Sequence, residues 1–397
     1  MDKGLSNGIS AASKGYFNMP FYEKKCREAG IELNNIKSEE DFLKIPFTYK
    51  DDLRKTSPFE RTSTDKRHIF GLYSSNGTTG KKTFYVYNYA DREKQAKFVR
   101  EYFSSIGMKK GGLGAVIAPI GSQVMGHCMM WQFEIMQMGM TICSDLTPES
   151  LLEIIESLPV TDIATLPRMA SSFSENTEWS EAAKKSSVER FVLGGDFLSD
   201  ARRKLIEETW NARAYNSYGM SEVFGPLANE CIYQDGLHYI DEDILIEIID
   251  PETFQPVKVG EPGIAVFTTL WEKGFPLLRY WSGELFRKYT QPCPCGCNLP
   301  RLEHIGRACD CVMINKKYIS PKQFENVVLS AGIKNARVVL ENDFIELQYD
   351  KMGPAPDNDV QEHLKALFEM TSLVCRPLDH AGLGLESLKP KYIIDRR

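Results

Sequence analysis

The stretch richest in groups that bind or react is Tyr73-Ser-Ser-Asn-Gly-Thr-Thr-Gly-Lys-Lys-Thr83. It sets Gly77 and Gly80 among the hydroxyls of Ser74, Ser75, Thr78 and Thr79, and ends on Lys81 and Lys82. Glycine lets a backbone turn tightly and bring its N–H groups onto a ligand. Hydroxyls donate hydrogen bonds, and lysine adds a mobile positive charge. Such a loop suits a polyphosphate, although an ordinary surface hairpin could carry the same residues. It is not a Walker A loop: Gly77 stands three residues before Gly80, and the β-branched, aromatic run Thr83-Phe-Tyr-Val-Tyr87 predicts a following strand, not a helix.

A second cluster is Cys293-Pro-Cys295-Gly-Cys297, three thiols at a turn, with Cys231 and His238 framing another turn upstream. Soft sulfur and nitrogen ligands from two turns would close a tetrahedral zinc site, structural in kind. The expected ligands are Cys231, His238, Cys293 and Cys295, with Cys297 as a substitute; a set of reduced thiols without metal is the alternative.

These groups need a scaffold. Residues 16–30 predict a short amphipathic helix closed by Gly30, and Ile45-Pro-Phe-Thr-Tyr-Lys-Asp-Asp-Leu-Arg54 leads from a turn into another. Asp91 predicts the cap of a helix to about Ile106. Strands then alternate with helices: Leu113–Pro119, Thr141–Cys143, Asp162–Leu166, Arg190–Leu193 and Arg213–Asn216, separated by helices at Gly126–Met138, after the Thr147-Pro148 cap, and at Asp200–Trp210 behind Ser199. That alternation predicts a doubly wound, mostly parallel sheet, whose ligands lie beyond the carboxyl ends of its strands. Gly194-Gly-Asp196 and Ser217-Tyr-Gly-Met-Ser-Glu222 occupy such positions. From Gly236 to about Arg287 the pattern is β-rich. Gly306–Asp310 reads as a linker, which divides the chain into an N-terminal domain (1–305), a hinge (306–310) and a small, mobile α+β C-terminal domain (311–397).

The 397 residues carry a net charge of −6, with 42% hydrophobic and 26% charged residues, an ordinary balance for a globular enzyme that favours neither nucleic acid nor an anionic membrane as partner. The polar start shows no signal segment, and no apolar run approaches the roughly 20 residues of a membrane span. The expected location is the cytoplasm, where the ten cysteines stay reduced or bind metal. The sequence leaves room for a homodimer.

The order of the motifs is the informative feature. A Ser/Thr/Gly loop is followed by Gly-Gly-Asp, Tyr-Gly-Met-Ser-Glu, Arg279-Tyr-Trp-Ser-Gly-Glu-Leu285, Gly-Arg-x-x-Asp and a lysine near the C-terminus. With Ile45–Arg54 and Leu299-Pro-Arg301 this resembles the adenylate-forming ligases, and among them the phenylacetate–CoA ligase group, over nearly the whole chain. The resemblance implies ATP-dependent activation of a carboxylic acid, aryl or arylacetic, to an acyl-adenylate with release of pyrophosphate, then transfer to CoA. It implies that Ser75, Asn76, Gly77, Thr78, Thr79, Gly80 and Lys81 hold the β- and γ-phosphates and that Glu222 holds Mg²⁺. Tyr218, Gly219, Gly195 and Asp196 would meet adenine, and Glu284, Arg301 and Arg307 the ribose or phosphate. Lys389, or else Lys391, would be the catalytic lysine, and His127, Trp131 and Phe224 would border the acyl pocket.

Three positions depart from the family pattern. Asn76 replaces a serine, Cys309 takes the hinge position, and Asn315-Lys316-Lys317 replaces Arg-Gly-Val in the loop expected to face the cleft during thioester formation. A lysine where glycine lets the pantetheine arm pass makes an amine acceptor an alternative to CoA. A non-catalytic adenylate-binding protein is a further alternative.

Overall fold

The computed structural model describes residues 3–75, 82–172, 177–223, 225–271, 274–385 and 390–397. A hairpin of β1 (Ile69–Ser74) and β2 (Phe84–Asn88) precedes the parallel strands β3 (Leu113–Ile117), β4 (Gly139–Cys143), β5 (Asp162–Thr165), β6 (Arg190–Gly194) and β7 (Arg213–Tyr218). The chain then runs antiparallel through β8 (Ala228–Glu230), β9 (Leu237–Tyr239), β10 (Ile244–Ile249), β11 (Gly263–Thr269), β12 (Tyr280–Lys288) and β13 (Arg301–Arg307). β3–β13 form one sheet in the order β10-β11-β12-β13-β9-β8-β7-β6-β5-β3-β4. The β-rich stretch therefore extends the parallel sheet: after β7 the chain turns directly back into β8, without the crossover helix that a parallel neighbour requires.

Period-2 alternation sorts the central strands between two cores. Val116, Ala164, Val192 and Tyr215 face the helices Tyr89–Ser105 and Val124–Ile135. Ala115, Ile117, Ile163, Phe191 and Leu193 face the helices Pro148–Ser157 and Asp200–Trp210. Thr147 and Ser199 cap as expected, accepting the N–H of Ser150 (3.3 Å) and Arg202 (3.1 Å). Asp91 does not cap. Asn88 does, with Asp91 one turn inside accepting from the N–H groups of Asn88 (3.3 Å) and Gly274 (3.0 Å). The first predicted helix shortens to Pro20–Glu28, because Pro20 can stand only in a first turn.

From Val312 the chain builds a separate core of Phe324, Val338, Leu347, Leu364 and Phe368. Its elements are the hairpin β14 (Val312–Ile314) and β15 (Lys317–Ile319), a sheet ordered β18 (Leu373–Leu378), β17 (Ile345–Asp350), β16 (Ala336–Leu340), β19 (Ile393–Asp395), and the helices Pro321–Ser330 and Asn358–Phe368. Asn315 (φ +45°) and Lys316 (φ +66°) make the two-residue turn of the hairpin. Asparagine suits such a turn; lysine in a left-handed conformation costs about 1–2 kcal/mol.

The C-terminal unit docks on the helix Asp200–Trp210. Arg202 donates through Nε to Glu325 (3.1 Å), Ser199 also binds Glu325, and the N–H of Ala201 reaches Asn326 (3.0 Å). Arg168 donates to the Leu385 carbonyl (2.8 Å), and Phe197 meets Tyr392 edge to face. No described helix is long and apolar enough to cross a membrane. Glu325→Ala strands the buried guanidinium of Arg202. Loss of one partner from a buried pair costs about 3–5 kcal/mol when water stays out, so hydrogen exchange should rise across 321–330 and protease cleavage should rise near 306–310, with Glu325→Gln intermediate.

Candidate active site

The carboxyl ends of β6 and β7 open onto a cleft of about 260 Å³, where a parallel sheet is expected to bind its ligand. β6 delivers Gly194, Gly195 and Asp196, and β7 delivers Tyr218 and Gly219. Gly195 has φ +84°, and a Cβ there would collide with Met125 Sδ. Burial raises the pKa of Asp196, opposed by the N–H of Phe197 and by Arg202. β12 contributes Glu284, and β13 contributes His304 and Arg307. Tyr218 lies edge-on to Phe286 (5.0 Å between centroids) and next to Glu284, whose carboxylate stands 2.9 Å from His304 Nε2. A flat ring beside a fixed carboxylate is what a nucleoside needs: a stacking face and a hydroxyl acceptor.

Where the cleft meets β2 stands Glu222, 4% exposed. Its Oε1 accepts from Tyr85 (2.8 Å) and Tyr280 (2.9 Å), and Lys50 Nζ lies 3.7 Å away. Tyr87 donates to the carbonyl of Ser221 and fixes the loop. Burial first, and the negative charge of Glu222 with it, raise the pKa of both phenols, so they remain donors. Among the described residues nothing occupies Oε2, which is left for a ligand in the cleft. Ser75 lines the same end, its N–H on the Thr83 carbonyl (3.1 Å), and Lys82 reaches Ser122 (2.8 Å).

The cleft thus gathers Ser75, Gly195, Asp196, Tyr218, Gly219, Glu222, Glu284 and Arg307. Asn76–Lys81, Phe224 and Lys389 lie outside the described residues. Pro390, beside Lys389, lines the cleft, whereas Lys391 is exposed and does not. Three expectations need correction. Arg301 is six residues from Arg307 along β13, about 20 Å on an extended strand. It is buried away from the cleft, bonded to Asp235 (2.8 Å) and the Gln291 carbonyl (3.0 Å), and stacked on Tyr289. His127 binds the Gly121 carbonyl (2.9 Å), and Trp131 is a buried second layer; neither lines the cleft. Val124, Met125, Cys128, Met129 and Gln132 form its helical face, and Trp131 and His127 fall just past its edge, about 20° and about 60° beyond Val124 at roughly 100° per residue.

Tyr85, Tyr280, Lys50 and His304 had been missed. They converge through tertiary contacts spanning up to 172 residues, from Lys50 to Glu222, which no local pattern encodes. Lys50 and Tyr280 carried a signal, lying within the Ile45–Arg54 and Arg279–Leu285 segments.

The cysteine turns meet beneath β9 and β13. The ligand atoms of Cys231, His238, Cys293 and Cys295 all lie within 4.8 Å of one another. Cys231 and Cys293 Sγ are 3.6 Å apart, against about 3.8 Å for the edge of a tetrahedral zinc thiolate. His238 Nδ1 bonds the Leu299 carbonyl (3.1 Å), which turns Nε2 toward Cys295 (3.5 Å) and sets the ring as a second-shell partner sets a metal ligand. Burial lowers the pKa of His238, so the ring is neutral at neutral pH. Cys297 is exposed and contributes its backbone N–H to Cys295 Sγ (3.4 Å).

Residues 115–269 match the family of AMP-binding enzymes. The chain is 31% identical over 319 residues to a phenylacetate–coenzyme A ligase of Thermus thermophilus, covering 79% of this chain and 72% of that protein. This chain belongs to the phenylacetate–CoA ligase family of adenylate-forming enzymes. A second relative of that name, from Aromatoleum evansii, is 28% identical over 96% of the ligase described here and 91% of its own length. The fold is that of 2-hydroxyisobutyryl-CoA ligase in its postadenylation state with 2-HIB-AMP (TM-score 0.82, 19% identity, 99% of this chain and 89% of that one). Against the same enzyme in its thioesterification state the TM-score is 0.69, at 19% identity, over 99% of this chain and 88% of that one.

Lys50→Met removes the cation beside Glu222 from the ligase but leaves both tyrosine donors. The melting temperature should change little, because the pair is part-exposed, while ATP affinity falls about tenfold, read as a weakened ATP-dependent thermal shift.

Proposed function

We propose that this ligase activates an aryl or arylacetic acid, with Mg²⁺ held at Glu222 and Lys389 as the cation of the adenylation step. The coarser chemistry is that of the family: an AMP-forming acid–CoA ligase makes an acyl-adenylate from ATP and acid, releases pyrophosphate, and passes the acyl group to CoA. The observation that carries the reading is a cleft that brings together Tyr218 and Glu284, a pair suited to a nucleoside, with Ser75 and Glu222, a pair suited to phosphate and its cation. The acid class is supported by the names of the relatives and by an apolar wall of Val124, Met125, Cys128, Met129 and Val223.

Nucleotidyl transfer is accelerated mainly by positioning and charge neutralisation. Ser75 sits at the entry to the loop proposed for the β- and γ-phosphates. The caged carboxylate of Glu222 offers Oε2, a hard oxygen ligand suited to Mg²⁺, which when bound neutralises phosphate charge. Glu284, held beside Tyr218 by His304, accepts ribose hydroxyls. The C-terminal unit brings Lys322, Pro390 and Tyr392 onto the cleft. The higher TM-score to a postadenylation structure supports a pose suited to the adenylate stage, with 306–310 as the pivot for the next. Cys231, His238, Cys293 and Cys295 fit a closed structural zinc site, with Arg301 bracing the turn that carries Cys293 and Cys295.

Pyrophosphate release with ATP and a panel of arylacetic, aryl and aliphatic acids, alongside CoA-thiol consumption, tests the reading: release with arylacetic acids and loss of thiol is the expected result, and release with aliphatic acids alone overturns the acid class. Lys389→Ala should cut pyrophosphate release about 10²–10³-fold yet spare transfer from preformed acyl-adenylate; unchanged release removes its role. Elemental analysis should find about one zinc per chain, and Cys293→Ser should lose it with a lower melting temperature; protein that is metal-free and equally stable contradicts the site.

A further inference from the structure

The apolar wall of the cleft is interrupted by one amide. Gln132 lines the cleft on the same helical face as Met125 and Met129, and it is 6% exposed. Among the described residues its side chain has no hydrogen-bond partner. A neighbouring amide is shut off more completely: Gln95, 7% exposed, has a buried Oε1 with no partner among the described residues. That oxygen would lie 3.6 Å from a Cβ at Gly225, a residue of the cleft wall. The helix Tyr89–Ser105 thus brings a bare acceptor up behind the wall that Gln132 faces.

An amide set in a nearly buried apolar wall depends on the cleft for its hydrogen bonds, and such positions are normally filled by apolar residues. An amide retained there is explained by a ligand that completes its hydrogen bonds. The helix gives the direction. Met125 touches the Gly195 end, where the nucleotide lies, and Gln132 follows seven residues later, about 10 Å along the axis. An acid whose carboxylate meets the α-phosphate near the first turn would reach Gln132 with the far end of a ring.

Resting on the reading above, we infer that the preferred acid carries a hydroxyl or amino group at the end of its ring remote from the carboxylate, and that Gln132 is the residue that selects it. The group donates to, or accepts from, the Gln132 amide, and the Gln95 carbonyl behind Gly225 favours a substituent with a hydrogen to donate. A site built to bond such a group discriminates against the analogue without it, because the protein amide is then left unpaired.

The test is the ratio of kcat/KM for hydroxy- or amino-substituted phenylacetates over phenylacetate, by pyrophosphate release with ATP and Mg²⁺. Wild type should favour at least one substituted acid by about tenfold or more. Gln132→Met, similar in shape but without polar hydrogen-bonding groups, should bring the ratio to one or below, and Gln132→Glu should retain a preference for donors. ATP-dependent thermal shifts confirm that both variants keep a folded nucleotide site. A wild-type ratio near one, or a preference unchanged in Gln132→Met, overturns this inference while arylacetate turnover leaves the proposed function standing. Absence of release with every aryl and arylacetic acid overturns both.

Discussion

A carboxylate shut away from water must be given partners or lose its charge, and the cleft is built round that constraint at Glu222. Its partners come from three distant places: Tyr85 from β2, Tyr280 from the start of β12, and Lys50 from the helix Lys50–Lys55. Each arrives because a different part of the fold has formed. The β1–β2 hairpin must lie over the end of β7, the antiparallel strands must continue the parallel sheet, and the N-terminal segment must return to β12, where Thr48 pairs with Tyr280. The carboxylate that reads locally as the end of a loop is thus a point at which the whole N-terminal part is joined.

The other charged groups buried in the sheet have structural roles. Arg190 with Asp162, Arg203 with Glu230 and Arg279 with Glu247 are nearly buried pairs whose atoms lie 2.6–2.9 Å apart, and each ties neighbouring elements. Arg301 belongs with them. It is sequence-adjacent to residues that resemble a nucleotide motif, but its guanidinium holds Asp235 and the carbonyls before Cys293, which makes it a brace of the cysteine turns. Buried arginines of this kind are hard to distinguish by sequence from ligand-binding ones, because the same bidentate geometry suits both.

The two units meet through polar contacts and the aromatic pair of Phe197 and Tyr392, not a continuous core. Glu325 binds Arg202 and Ser199, so one carboxylate from the C-terminal unit completes the first turn of a helix in the N-terminal one. An interface of directional bonds can part and re-form without exposing a large apolar area. Its strained counterpart is the turn at Asn315 and Lys316, held in left-handed conformation, where the side chain of Asn315 is tied to Glu369.

The sequence by itself determined the elements and their order. β-Branched runs, the Thr147 and Ser199 caps and the alternation of strand with helix are local features, and they predicted the parallel strands and the loops at their ends. The motif order identified the chemistry, and the spacing of Cys231, His238, Cys293 and Cys295 held enough information to name a cluster whose ligand atoms do converge. Tertiary structure decided what spacing cannot encode: which side of a helix faces the cleft, which end of β13 reaches it, and which tyrosines find Glu222. A small difference in helix phase moved the acyl wall from His127 and Trp131 to Met125, Met129 and Gln132, and six residues of strand separated a cleft arginine from a structural one. Those outcomes depend on contacts across as many as 172 residues of chain, as between Lys50 and Glu222, and the packing of the sheet sets them.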